Sequence, residues 1–140
     1  MYRRILVAIE NSPADKTILR HVEPLARLTG AELLLVHVAD GFAARHFNDL
    51  KLRESEEMRE DRAYLDRLAA DLTAHEVRVA TELAMGDPAS ELIRLAKARD
   101  ADLIAMSTHG HRGLNDLLRG TTVNRVRHEV MIPVLLLRAQ

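Results

Sequence analysis

The chain has 140 residues, with 20 Lys and Arg against 21 Asp and Glu, and no cysteine. A chain of this length can bury roughly two-thirds of its unfolded surface as one domain, 1–140, without a metal or cross-link. The missing thiols exclude a disulfide scaffold, a thiolate metal site and a cysteine nucleophile.

Balanced charge, with two Phe, two Tyr and no Trp, argues against nucleic acid as a partner. No stretch nears the ~20 apolar residues of a membrane span. The opening apolar run ILVAI (5–9) ends at Glu10, too early for a signal peptide, so a cytoplasmic protein is expected. ILVAI itself is apolar at every position, as in a strand buried on both faces. Ser12-Pro13-Ala14-Asp15 then reads as a helix start, with Ser12 as N-cap, Pro13 at the first helical position and Asp15 as the capping-box acid. Ile18, Val22, Leu25 and Ala26 form the buried face of that helix. Pro24 is expected to kink it and Gly30 to end it.

ELLLVHV (32–38) is a second buried strand, in which His37 is expected as a core histidine with satisfied partners. Residues 39–48, ADGFAARHFN, read as a long loop of the kind that often carries function. A helix over about 49–75 follows, buried through Met58, Leu65, Leu68 and Leu72, with the charged run 53–62 as its solvated face. VRVATELA (77–84) alternates and predicts a strand with one wetter side. Asp87-Pro88 opens a third helix that buries Leu92, Ile93, Leu95 and Ala96. That helix ends on Lys97 and Arg99, cations suited to its carbonyl end. DLIAMS (102–107) is a fourth strand. A fourth helix is expected from Gly120-Thr121-Thr122, with Val123, Val126 and Val130 at helical spacing. VLLLR (134–138) closes the chain as a strand. This order predicts an α/β fold, a doubly wound five-stranded parallel sheet of order 3-2-1-4-5 with helices on both faces.

Ligands of such sheets bind beyond the carboxyl ends of the strands, where the strand order reverses. Glu10-Asn11-Ser12, Val38-Ala39-Asp40 and Ser107-Thr108-His109-Gly110 fall there. A Walker A loop is absent, and no glycine precedes Gly30, so the dinucleotide fingerprint is absent too. What stands out is STHGHRGLNDLLRGTT (107–122), where nine residues separate Gly110 from Gly120. Glycine permits close backbone approach to an anion, and amides at a helix start after Gly120 would favour phosphate. Thr121 and Thr122 add hydroxyl donors, and Arg112, Arg119, His109 and His111 add cations or potential cations. The same residues could equally make an ordinary turn and helix cap. No catalytic residue and no metal site is read from the sequence; His109 and His111 lack a ligand cluster.

That spacing resembles the G-x2-G-x9-G-[ST] motif of the universal stress protein family. RILVAIENSPAD, LLLVHV, MGDPASELIRLAKARDADLIAMSTHG and GTTVNRVRHEVMIPVLLLR resemble its segments in order along nearly the whole chain. The resemblance implies an adenine-nucleotide-hydrolase-like fold and ATP, with or without Mg, across the ends of strands one, two and four. By it, Ala8, Ile9 and Glu10 would flank adenine and ribose, and Val38 would offer its backbone. Met106, Ser107, His109 and Gly110 would line the ribose and phosphate side, and Gly120, Thr121 and Thr122 would cradle the phosphates. From the residues themselves, Arg112 is a cation for the phosphate end, and Arg125 of NRVRHEV, a basic patch too small to argue for DNA, could instead reach that end. Two positions depart from the family pattern: Ser107 replaces the first glycine of the motif, and Glu10 replaces the usual aspartate.

The implied role is stress response or regulation, with at most slow hydrolysis, in a homodimer joined through the apolar edge strand 134–138 and open to a protein partner. A nucleotide-free dimeric interaction module of the same family is the alternative. An adenylating enzyme fits less well, because ENSPAD after the first strand lacks the expected glycine cluster.

Overall fold

The computed structural model describes the backbone of residues 1–40, 48–108 and 113–139, and the side chains of 1–39, 56–108 and 121–139. Strands and helices alternate as β1 (Arg4–Ile9), α1 (Ala14–Thr29), β2 (Glu32–Asp40), α2 (Asn48–Ala74), β3 (Val79–Gly86), α3 (Pro88–Ala98), β4 (Leu103–Thr108), α4 (Gly113–Glu129) and β5 (Val134–Arg138). All strand pairs are parallel and the order is β3-β2-β1-β4-β5, as the sequence predicts. Ile5 lies between Leu33 of β2 and Leu103 of β4, which fixes the register of the sheet centre.

Alternation along each strand sends side chains to two faces. Ile5, Val7, Ile9, Leu33 and Leu35 pack with Ile18, Val22 and Ala26 of α1 and Leu65 and Leu72 of α2. Leu6, Leu34, Val36, Ile104 and Met106 pack with Leu92, Ile93 and Ala96 of α3 and Val123 and Val126 of α4. Strands covered on both sides need continuous apolar runs, which is why ILVAI and ELLLV show no polar alternation. β3 stands at an edge and is mostly half-buried, in keeping with its alternating sequence.

Helix starts depart from expectation in two places. α1 begins at Ala14 rather than Pro13. Half of the capping box still forms: the Ser12 hydroxyl accepts the Ala14 N–H at 3.2 Å, and the Asp15 carboxylate accepts the Ser12 N–H at 3.2 Å. Gly30 ends α1 as predicted, at φ 76°, with its N–H donated to the Ala26 carbonyl at 2.8 Å. The larger correction concerns α4, which begins at Gly113, seven residues before Gly120. LNDLLR continues the helical pattern upstream of Gly120, and one glycine inside a helix costs only about 1 kcal/mol. Gly120 is therefore interior to α4 and not at its N-terminus.

Candidate functional site

A cleft of about 210 Å³ opens at the carboxyl ends of β1, β2 and β4. Ala8, Glu10, Val36, Val38, Pro88, Leu92, Met106, Thr122 and Val123 line it, together with Ile9, His37 and Ser107. Its side walls are apolar because Val36, Val38 and Met106 belong to the strand face that packs on α3 and α4. α3 supplies Pro88 and Leu92, and α4 supplies Thr122 and Val123. An apolar slot with a few polar groups at its mouth suits a flat heterocycle better than an extended peptide.

Seven residues expected at a ligand site line this cleft: Ala8, Ile9, Glu10, Val38, Met106, Ser107 and Thr122. Thr121 is exposed on α4 and does not line it. His109, Gly110 and Arg112 lie outside the described residues, and Gly120 is described only as part of α4. Sequence reasoning missed Val36, His37, Pro88, Leu92 and Val123. All five were assigned to core or cap roles, His37 as a core histidine; that they line one cleft depends on the sheet's splay against α3 and α4, which no local pattern encodes.

Ser107 is 5% exposed. It follows Met106, so strand alternation turns its side chain to the opposite face, where its hydroxyl lies 3.5 Å from the Ala14 carbonyl on α1. The side chain that replaces the motif's first glycine is thus directed away from the α3/α4 wall.

Glu10 is placed by the turn after β1. Asp15, only 1% exposed, accepts the Glu10 N–H at 2.9 Å, the Ser12 N–H at 3.2 Å and the Tyr64 hydroxyl at 2.7 Å. Ser12 donates its hydroxyl to Glu10 Oε2 at 3.1 Å. Asn11 adopts φ 59°, a left-handed conformation that asparagine accepts more readily than most residues. Burial raises the Tyr64 phenol above its ordinary range, and its bond to the Asp15 carboxylate raises it further. That bond is therefore fully present below the phenol range and fails only as pH climbs past it.

On the other wall, Asp87 caps α3. It accepts the Ser90 N–H at 3.0 Å and hydroxyl at 2.5 Å, and it pairs with Arg125 of α4 at 2.6 Å. Arg125 is thus engaged between Asp87, Ser90 and Glu129, which corrects the expectation that it extends toward a phosphate. The bonds from Ser90, then the Arg125 guanidinium, hold the Asp87 carboxyl below the ordinary carboxylate range. Its contribution is complete above that range and is lost as pH falls below it. Asp87→Ala is expected to lower stability by about 1 kcal/mol, mostly through the lost cap, since the ion pair is exposed. Urea unfolding at neutral pH measures it.

A model of the universal stress protein family matches residues 1–138. A universal stress protein of Thermus aquaticus is 30% identical over 138 residues, spanning 99% of this chain and 100% of its own length. Among solved structures, protein MJ0577 of Methanocaldococcus jannaschii superposes with a TM-score of 0.84 at 23% identity, covering 100% of this chain and 98% of its own. The universal stress protein from Archaeoglobus fulgidus in complex with dAMP superposes with a TM-score of 0.67 at 20% identity, covering 96% and 97%. The chain belongs to the universal stress protein family.

Proposed function

We propose that this chain binds an adenine nucleotide, with ATP as the first candidate, in the cleft at the ends of β1, β2 and β4. The observation that carries this reading is the apolar slot between Val36, Val38 and Met106 on the sheet and Leu92 and Val123 on the helices. A purine is flat and mostly apolar on its faces, and such a slot removes both faces from water. Glu10 and Thr122 at the mouth are suited to sugar hydroxyls. The family neighbour solved with dAMP supports adenine as the base. Any Mg²⁺ would come with the phosphates: among the described residues, no cluster of three His, Cys, Asp or Glu is placed to hold a metal ion. The role is regulatory binding in the cytoplasm as one 1–140 domain, with at most slow hydrolysis. Among the described residues no helix is long and apolar enough to cross a membrane.

The dimer belongs to the same proposal. Among the described residues β5 leaves one edge of the sheet unpaired, and Val134, Leu135, Leu136 and Leu137 are only half-buried there. Met131, 99% exposed just before it, extends the apolar surface. A second copy pairing along this edge would cover both.

The start of α4 at Gly113 favours a second reading, a dimeric interaction module that holds no nucleotide, because an interior Gly120 offers no helix-terminal amides to phosphate. Isothermal calorimetry with ATP separates the two. Saturable binding near one nucleotide per chain supports the first; no heat at millimolar ATP, with the same result for AMP, supports the second.

A further inference from the structure

His37 faces two acceptors. Its Nδ1 lies 2.8 Å from the Ile9 carbonyl, and its Nε2 lies 3.2 Å from Asp61 Oδ2 on α2. A carbonyl oxygen can only accept, so Nδ1 carries a hydrogen. Nε2 then either carries a second hydrogen and meets the carboxylate as an imidazolium, or presents a lone pair to another acceptor. Only the protonated ring satisfies both contacts. The other carboxylate oxygen, Asp61 Oδ1, accepts the Asn11 side-chain amide at 3.0 Å. One carboxylate of α2 thereby holds the turn beside Glu10 and, through the ring, the end of β1. Ile9, Glu10 and His37 all line the cleft. The His37 and Asp61 side chains are 14% and 15% exposed, so neither contact is readily replaced by water.

We propose that Asp61 is a positioning residue for the cleft, acting through Asn11 and a protonated His37. The inference rests on the cleft being the nucleotide site. Asp61 lies in a charged run whose sequence reads as a solvated face, and no ligand contact is needed for its role. Charged groups stand on the described parts of α2, β1 and α1 around this clasp. α2 brings Asp61 and Arg62, the latter turned to the Thr81 hydroxyl of β3. β1 ends in Glu10, and α1 begins with Asp15, which is occupied by Tyr64 of α2 and two amides. β3 sets Leu83 opposite His37.

The Asp61 contact needs a hydrogen on Nε2, so the imidazolium makes it and the neutral ring, with its hydrogen on Nδ1, does not. Asp61→Asn changes this dependence in a way that a merely structural residue would not. An amide can donate to a neutral ring or accept from a protonated one, while still bonding Asn11.

The test compares wild type with Asp61→Asn at about pH 5.5 and about pH 8.5, by ATP calorimetry and by ligand-free thermal unfolding. The γ-phosphate of ATP titrates alike in both arms. At the lower pH, wild type should bind ATP roughly tenfold more tightly than the variant, as one charged hydrogen bond allows. At the higher pH that advantage should vanish or reverse, and the difference in melting temperature should follow the same course. His37→Asn, which has no titrating ring, should abolish the pH dependence of the Asp61 effect. A melting difference that does not change with pH would overturn the clasp. Equal ATP affinity of wild type and Asp61→Asn at both pH values would overturn the positioning role. No ATP binding in any protein, with the melting difference still pH-dependent, would leave the clasp standing and reject the nucleotide reading together with the positioning role that rests on it.

Discussion

Asp15→Ala is expected to lower stability by about 3 kcal/mol, and the melting temperature by about 10 °C for a chain of this size. Truncation leaves the Glu10 amide, the Ser12 amide and the Tyr64 hydroxyl without their shared acceptor. Leaving a buried donor unpaired costs more than the bond contributed when made, which is why one side chain has so large an effect. Asp15→Asn keeps the shape and one good acceptor but turns an amide hydrogen toward a second donor, so it should lose about half as much. Thermal unfolding of the two variants checks this order. Glu10 takes its backbone position from the same carboxylate, so ATP affinity should fall in Asp15→Asn even at temperatures where the variant is fully folded.

Val38→Trp is expected to weaken ATP binding at least about 100-fold, near 2.7 kcal/mol, with the fold retained. Val38 is half-buried at the carboxyl end of β2, opposite Ala84 of β3, and it packs toward the α3/α4 side of the sheet. An indole at this position has the shape of a purine and would occupy the cleft in its place. Calorimetry reads the affinity, and circular dichroism with thermal unfolding checks that the sheet is intact. Undiminished ATP binding in a folded Val38→Trp protein would move the nucleotide out of this cleft.

Much of the fold could be read directly from the chain because the central strands β1, β2 and β4 are buried on both faces and α1 and α3 each bury one face. ILVAI, ELLLVHV and VLLLR carry no polar alternation, and Gly30 and Asp87-Pro88 punctuate helices as their backbone preferences require. The error at α4 has a local cause. GLNDLLRG contains one glycine at each end, and either can open a helix; the structure uses Gly113.

The site was less legible. Glu10 and Val38 were named because a doubly wound sheet presents its strand ends to ligands, and Ala8 and Met106 through the resemblance to the universal stress protein family. Leu92 and Val123 were read as core, and they are also core: the same side chains pack the second face and form the cleft wall. Asp15 and Asp61 show a different limit. Their sequence neighbourhoods, a helix start and a charged run, give the ordinary reading of cap and solvated face. Their partners, Tyr64 and His37, come from distant segments that only the tertiary fold brings together. Arg125 errs the other way, since a cation near a supposed phosphate is already paired with Asp87.

A crystal structure of the chain grown with saturating ATP tests the nucleotide site most directly. Adenine is expected between Val36 and Val38 on one side and Leu92 and Val123 on the other, with the sugar toward Glu10 and Thr122. Nucleotide bound elsewhere, or a cleft left empty at saturating ATP, would contradict it.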